Sequence, residues 1–99
     1  MLRHVVMMKF SDRTNWESIA QEVALMLNQL TETIPELLRM EVGTNFSTRP
    51  AAYDLVLIAD FHDTSGLDAY RVHPTHQAVL DFLKMHVQET TVVDYLINK

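Results

Sequence analysis

Apolar residues along this chain recur in two rhythms, and the alternation between them predicts the elements. Residues 2–10, Leu-Arg-His-Val-Val-Met-Met-Lys-Phe, are β-branched, methionine and aromatic in a run too short for an ordinary helix, and predict a strand. Thr14 with Glu17 three residues on has the form of a capping box, in which hydroxyl and carboxylate satisfy the free N–H groups of a helix start. Ile19, Val23, Met26, Leu27, Leu30 and Ile34 then share one face at helical spacing. This helix must end before Pro35, because a residue preceding proline is pushed out of the α region. Residues 37–46 alternate weakly and predict a second strand, 47–52 a polar turn, and 53–61, Tyr-Asp-Leu-Val-Leu-Ile-Ala-Asp-Phe, a third strand. Asp63 is placed to cap a second helical region from about Thr64 to His86, broken near Pro74. Residues 90–97 predict a fourth strand.

The order βαββαβ predicts an α+β, ferredoxin-like fold: two crossover units forming a four-stranded antiparallel sheet with the helices on one face. Few glycines and prolines punctuate the chain, so residues 1–99 are expected to form one domain. A sheet covered on one face should alternate apolar and polar positions, yet here both faces are apolar. Leu55, Leu57, Ala59 and Phe61 lie on one side of the third strand, Val56 and Ile58 on the other. Val5 and Met7 oppose His4, Val6, Met8 and Phe10 in the first, and Val93, Tyr95 and Ile97 oppose Val92, Asp94 and Leu96 in the fourth. A lone chain would leave roughly several hundred Å² of apolar sheet in water, more than monomers usually tolerate. Two chains are therefore expected to pack sheet against sheet as a two-fold homodimer, with Val5, Met7, Val56, Ile58, Val93 and Ile97 near the interface.

Composition narrows the function. The net charge of −5 and the lack of any Lys/Arg cluster argue against nucleic acid as a partner. No cysteine is present, which excludes a disulfide framework and thiolate chemistry. The apolar run at the start is soon broken by Lys9, unlike a signal peptide, and no window approaches the ~20 apolar residues that span a bilayer. A cytoplasmic protein with no membrane partner is the expectation.

The chemistry concentrates where the second helical region is interrupted, at His73-Pro74-Thr75-His76. Pro74 biases His73 away from helical geometry and suits the first position of a new helix, where a missing N–H costs nothing. His76 then falls in the first turn of that helix, on a stripe with Leu80, Leu83 and Val87 expected to face the sheet. The helix dipole there disfavours imidazolium, and a neutral imidazole suits a general base. Alternation puts His4 and Asp94 on one face of the sheet with Leu55 and Leu57. If the helices cover that face, His4, Asp94, Tyr70 and His76 converge on a pocket in which a carboxylate can fix an imidazole tautomer and a phenol can donate to a developing enolate oxygen. Each residue also has a purely structural reading: His4 as a hydrogen-bonded core side chain, His73 as a helix cap, Tyr70 as core. Asp94 fits pure structure least well, because a carboxylate on a core strand needs partners. His73-x-x-His76 across a proline matches helical zinc spacing poorly, and no metal is expected.

The segments His-Val-Val-Met-Met-Lys-Phe at the start, Ile-Pro-Glu-Leu-Leu-Arg-Met-Glu-Val-Gly-Thr-Asn-Phe-Ser in the middle, Tyr-Asp-Leu-Val-Leu-Ile-Ala-Asp-Phe, Leu67 to Leu83, and Val-Val-Asp-Tyr near the end resemble the stress-responsive α/β-barrel (Dabb) domain family. The resemblance covers essentially the whole chain, and Ala-Tyr-x-x-His-Pro-x-His is its most specific part. Glu36 stands where many members have a glycine. The resemblance implies a dimeric α/β barrel. It extends to a plant polyketide cyclase that performs an intramolecular aldol reaction without metal or organic cofactor. The acid–base Tyr and His of that enzyme match Tyr70 and His76, its strand-1 His matches His4, and its late-strand Asp matches Asp94. A further pocket His is replaced here by Leu55.

Together these readings predict a homodimer that binds a small apolar or aromatic molecule between sheet and helices. Leu55, Leu57, His73 and Val92 are expected to touch the ligand. Any catalysis would be cofactor-free acid–base chemistry of cyclase, isomerase or lyase type, with His76 as base, Tyr70 as donor, and His4 and Asp94 orienting. The alternative is a non-catalytic, stress-related structural or binding protein with a filled core.

Overall fold

The computed structural model describes residues 1–97. The elements are β1 (Leu2–Phe10), α1 (Trp16–Thr33), β2 (Arg39–Thr44), β3 (Leu55–Phe61), α2 (Thr64–Val72), α3 (Pro74–Lys84) and β4 (Val87–Leu96). The strands form one antiparallel sheet in the order β2-β3-β1-β4, the ferredoxin-like arrangement, with the helices on one face. β1 takes a central place because both its faces are apolar. Leu2, His4, Val6, Met8 and Phe10 are buried beneath the helices, while Val5 and Met7 stand on the opposite face. From α1, Ala20, Val23, Leu27 and Leu30 complete the core, joined by Ile34, Val79 and Leu83.

Several boundaries differ from expectation, each for a local reason. α1 starts at Trp16 with Asn15 as N-cap, and the Thr14–Glu17 capping box does not form. The Asp12 carboxylate instead accepts from the backbone N–H groups of Thr14 (3.0 Å) and Asn15 (3.1 Å); a charged acceptor two residues earlier outcompetes the hydroxyl. β4 begins at Val87 rather than residue 90, so Val87 belongs to the strand and not to the helical stripe with His76. β4 is an edge strand: Val87 pairs with Phe10 and Glu89 with Lys9, Gln88 is the extra residue of a bulge between them, and the Gln88 and Glu89 side chains are exposed. β2 and β3 are shorter than 37–46 and 53–61, although Leu38 N–H still reaches Asp60 O (2.9 Å) and Asp54 N–H reaches Met8 O (2.9 Å) beyond their ends.

The helix-free face carries cross-strand rows: Val93, Val5 and Ile58 in one, Thr91, Met7 and Val56 in the next. Beside them lies a polar row in which the Arg3 guanidinium donates twice to Asp60 (2.8 and 3.0 Å). A second clamp holds the β1 end: the buried Asp54 carboxylate accepts from Phe10 N–H (2.8 Å) and twice from Arg13 (2.7 and 3.1 Å). The patterning of apolar residues contained no trace of either clamp.

Candidate active site

The break at Pro74 rearranges one turn of hydrogen bonds, and the site grows from that rearrangement. In an unbroken helix the Arg71 carbonyl would accept the Thr75 N–H. Here His73 is extended (φ −66°, ψ 135°), closes α2 and caps α3. Its Nδ1 accepts the Thr75 N–H (3.2 Å), with the Thr75 hydroxyl 2.9 Å from the same nitrogen. The Tyr70 carbonyl, which proline cannot serve, takes the His73 N–H instead (3.2 Å). The Arg71 carbonyl is thereby released into the site. It accepts from Gln77 Nε2 at 2.6 Å and lies 3.3 Å from His76 Nδ1. A carbonyl can only accept, so the His76 nitrogen facing it carries the proton and Nε2 keeps its lone pair.

The His76 ring rests against Tyr70 with centroids 4.1 Å apart. Tyr70 in turn meets Phe61 at 5.1 Å and the His4 ring, edge to face, at 6.4 Å. The His76, Tyr70 and His4 rings line an open cleft of about 810 Å³ between the sheet and α3. Beyond them most of the lining is apolar, with Val6, Met8 and Leu57 from the sheet and Val79, Leu80 and Leu83 from α3. Behind His4, its Nδ1 lies 2.5 Å from Asp94 Oδ1, the residue directly opposite it on β4. The second Asp94 oxygen lies 3.7 Å from the Arg71 guanidinium.

Burial sets the protonation states. It lowers the His76 pKa below its ordinary value, partly opposed by the Arg71 carbonyl and reinforced by His4, Arg71 and His73 nearby. It pushes the Tyr70 phenol well above its ordinary value, so the hydroxyl stays protonated. A neutral imidazole with a free Nε2 beside a protonated phenol can remove a proton from carbon while holding the adjacent oxygen.

His4, Tyr70 and His76 meet at the cleft, and Asp94 supports His4 from the sheet edge. Leu57 and Val92 line the cleft; Leu55 and His73 do not. Leu55 sits two residues along β3 from Leu57, paired with Met8 and enclosed in the core. His73 spends its side chain on capping α3. The sequence reading missed Arg71 and Gln77, both on the cleft wall. The signal for the Arg71 carbonyl was present: a helix restarting at Pro74 puts the Thr75 N–H in its first turn, where it turns to the His73 cap and leaves the carbonyl four residues before it free.

A family model described as the stress responsive A/B barrel domain, Dabb, matches residues 2–97. The chain belongs to this family. Among solved structures, a dimeric ferredoxin-like protein from Jannaschia sp. CCS1 is 28% identical (TM-score 0.80), with 97% of this chain and 98% of that one covered. A dimeric protein of ferredoxin-like fold from Bacteroides fragilis NCTC 9343 is 21% identical (TM-score 0.88; 97% and 95% covered). The hydroxynitrile lyase of Passiflora edulis is 17% identical (TM-score 0.83; 99% and 94% covered), a likeness of fold. No curated protein matches the sequence. Among the described residues of this Dabb domain, no helix is long and apolar enough to cross a membrane.

Proposed function

We propose that this Dabb domain is a homodimer in which each subunit binds a small apolar or aromatic carbonyl compound and enolises it without a cofactor. The observation that carries the reading is the Tyr70–His76 ring pair at 4.1 Å on the wall of a cleft of about 810 Å³. That volume lies within the roughly 300–1,000 Å³ range of small-molecule sites, which favours ligand binding over a filled structural core. His76 Nε2 takes the proton from the carbon next to the carbonyl. The C–H electron pair moves into the new C=C bond, and the carbonyl oxygen becomes an enolate held by the Tyr70 hydroxyl. The His76 imidazolium then returns its proton to carbon or to the product oxygen, so cyclisation, isomerisation or lyase-type cleavage can follow from one intermediate. His4, held by Asp94, fixes the floor of the site. The dimer reading rests on the apolar rows of the helix-free face and on relatives described as dimeric.

The test is exchange of the α-hydrogens of an aryl alkyl ketone into D₂O, followed by proton NMR. The intact protein is expected to accelerate exchange, and His76→Ala to lower the catalysed rate by about 10²–10⁴-fold, the usual effect of losing a general base. Equal rates in both proteins would reject the assignment.

A further inference from the structure

Three arginines of this chain, Arg3, Arg13 and Arg71, are held in two different ways. Arg3 and Arg13 each make two short bonds to one buried carboxylate, at 2.8 and 3.0 Å and at 2.7 and 3.1 Å, so their donor forks are used up. Arg71 lines the cleft beside Tyr70 and His76, and its guanidinium stands 3.7 Å from both Asp68 and Asp94. Single long contacts at an exposed site contribute little and leave the planar fork open. The cleft lining adds a second contrast. The chain carries 13 acidic residues against 8 basic ones, yet the lining includes Arg71 and Lys84 and, among the described residues, no carboxylate. Lys84 stands at the far end of α3, 3.8 Å from Asp81 of the same helix. Asp94 stands behind His4 rather than on the lining, with one oxygen 2.5 Å from that imidazole.

We propose that the ligand of this cleft is an oxyanion, an apolar or aromatic body bearing a carboxylate or similar group that Arg71 grips at the polar end. This rests on the ligand-binding reading above and adds the substrate class to it. The anionic group displaces the two loose contacts and takes the fork in paired N–H···O bonds, which are stronger and more directional than a point-charge contact. It fixes the apolar body along Val6, Val79 and Leu83 and sets a neighbouring carbon over His76.

Two probes of nearly one shape separate the ideas: 1-anilinonaphthalene-8-sulfonate and its uncharged parent, N-phenyl-1-naphthylamine. Each is titrated into the purified protein, and the ring signals of Tyr70 and His76 in NMR report occupancy of the cleft itself. At low salt the anion is expected to bind about tenfold more tightly than the neutral probe, a preference that shrinks as salt screens it. Arg71→Gln should remove most of the preference by weakening binding of the anion, with the neutral probe moving far less. Arg71→Lys should keep part of it, and Arg49→Gln, the same charge change on a distant loop, should leave both affinities as they were. If the neutral probe binds and the anion gains nothing, or the preference survives Arg71→Gln, the oxyanion assignment is overturned and ligand binding stands. If neither probe moves the Tyr70 and His76 signals, both proposals fall together.

Discussion

At the scale of single residues, His76 carries the most specific expectations. Its Nδ1 faces a carbonyl, so nitrogen-15 NMR at pH 7 should find a neutral ring protonated at Nδ1, the less common tautomer; protonation at Nε2 would contradict the geometry. Its pKa also ties it to stability. The folded state holds the His76 proton less readily than the unfolded chain, whose value is near 6.5. The stabilising contribution is therefore complete above that pH and is lost as pH falls through the lower folded value. Urea unfolding between pH 7 and 5 should show this decline, and His76→Gln should flatten it. Asp54 and Asp60 act in a lower window. Both have carboxyl pKa values below the ordinary 3.8, so their contribution persists to more acid pH and fades below it. For Asp54, burial opposes the lowering, and the Arg13 and Phe10 bonds outweigh it. Asp54→Ala leaves the buried Phe10 N–H without its acceptor and should cost about 1–3 kcal/mol in urea unfolding. The two kinds of residue differ in how visible they were beforehand. Tyr70 and His76 stand out in sequence because polar groups interrupt an apolar helical stripe. Asp54 and Arg13 are 41 positions apart, and nothing local connects them until the chain folds.

At the scale of elements, the joint between α2 and α3 behaves as a device. Proline at the first position of α3 stops one hydrogen-bond ladder and starts another, and the slip between them exposes one carbonyl and turns one imidazole inward. Pro74→Ala permits Thr75 N–H to return to the Arg71 carbonyl and the two helices to fuse. The variant is expected to gain helical circular dichroism yet lose about 10²-fold in ketone exchange, because small displacements of a reacting group are costly. Unchanged exchange would mean that the break does not place His76. Elements also differ in how sharply sequence marks their ends. β1, apolar on both faces and central in the sheet, runs over residues 2–10 as its pattern predicts. β4 is an edge strand held by β1 alone, and its backbone pairing extends through Glu89 and, past a bulge at Gln88, to Val87, where side-chain pattern is silent. The α1 start shows the same limit: Thr14–Glu17 fits a known motif, but Asp12 supplies a stronger acceptor.

At the scale of the whole molecule, the sheet divides two tasks. One face supports the cleft, and the other carries the apolar rows that the proposed dimer would bury. Met7 is 36% exposed and Val93 55% in the isolated chain. Met7→Lys combined with Val93→Lys is expected to yield monomers by sedimentation velocity at micromolar concentration. Because the cleft is built from one chain, the neutral naphthylamine probe should still bind within a few-fold. A dimer that survives both lysines would place the interface elsewhere.

The order of elements, the two apolar faces of the sheet and the proline break were all written in the periodicity of side chains, because period and backbone restriction act over a few neighbouring residues. So was the placement of His4 and Asp94 on one face of the sheet, since alternation assigns faces once strands are known. What tertiary structure alone decided was distance. It set which of the aligned residues reach the cleft, excluding Leu55 and His73 and admitting Arg71 and Gln77. It also decided whether space remains between helix and sheet. Those outcomes depend on side-chain volume and on backbone groups released by the fold, and neither leaves a repeating mark along the chain.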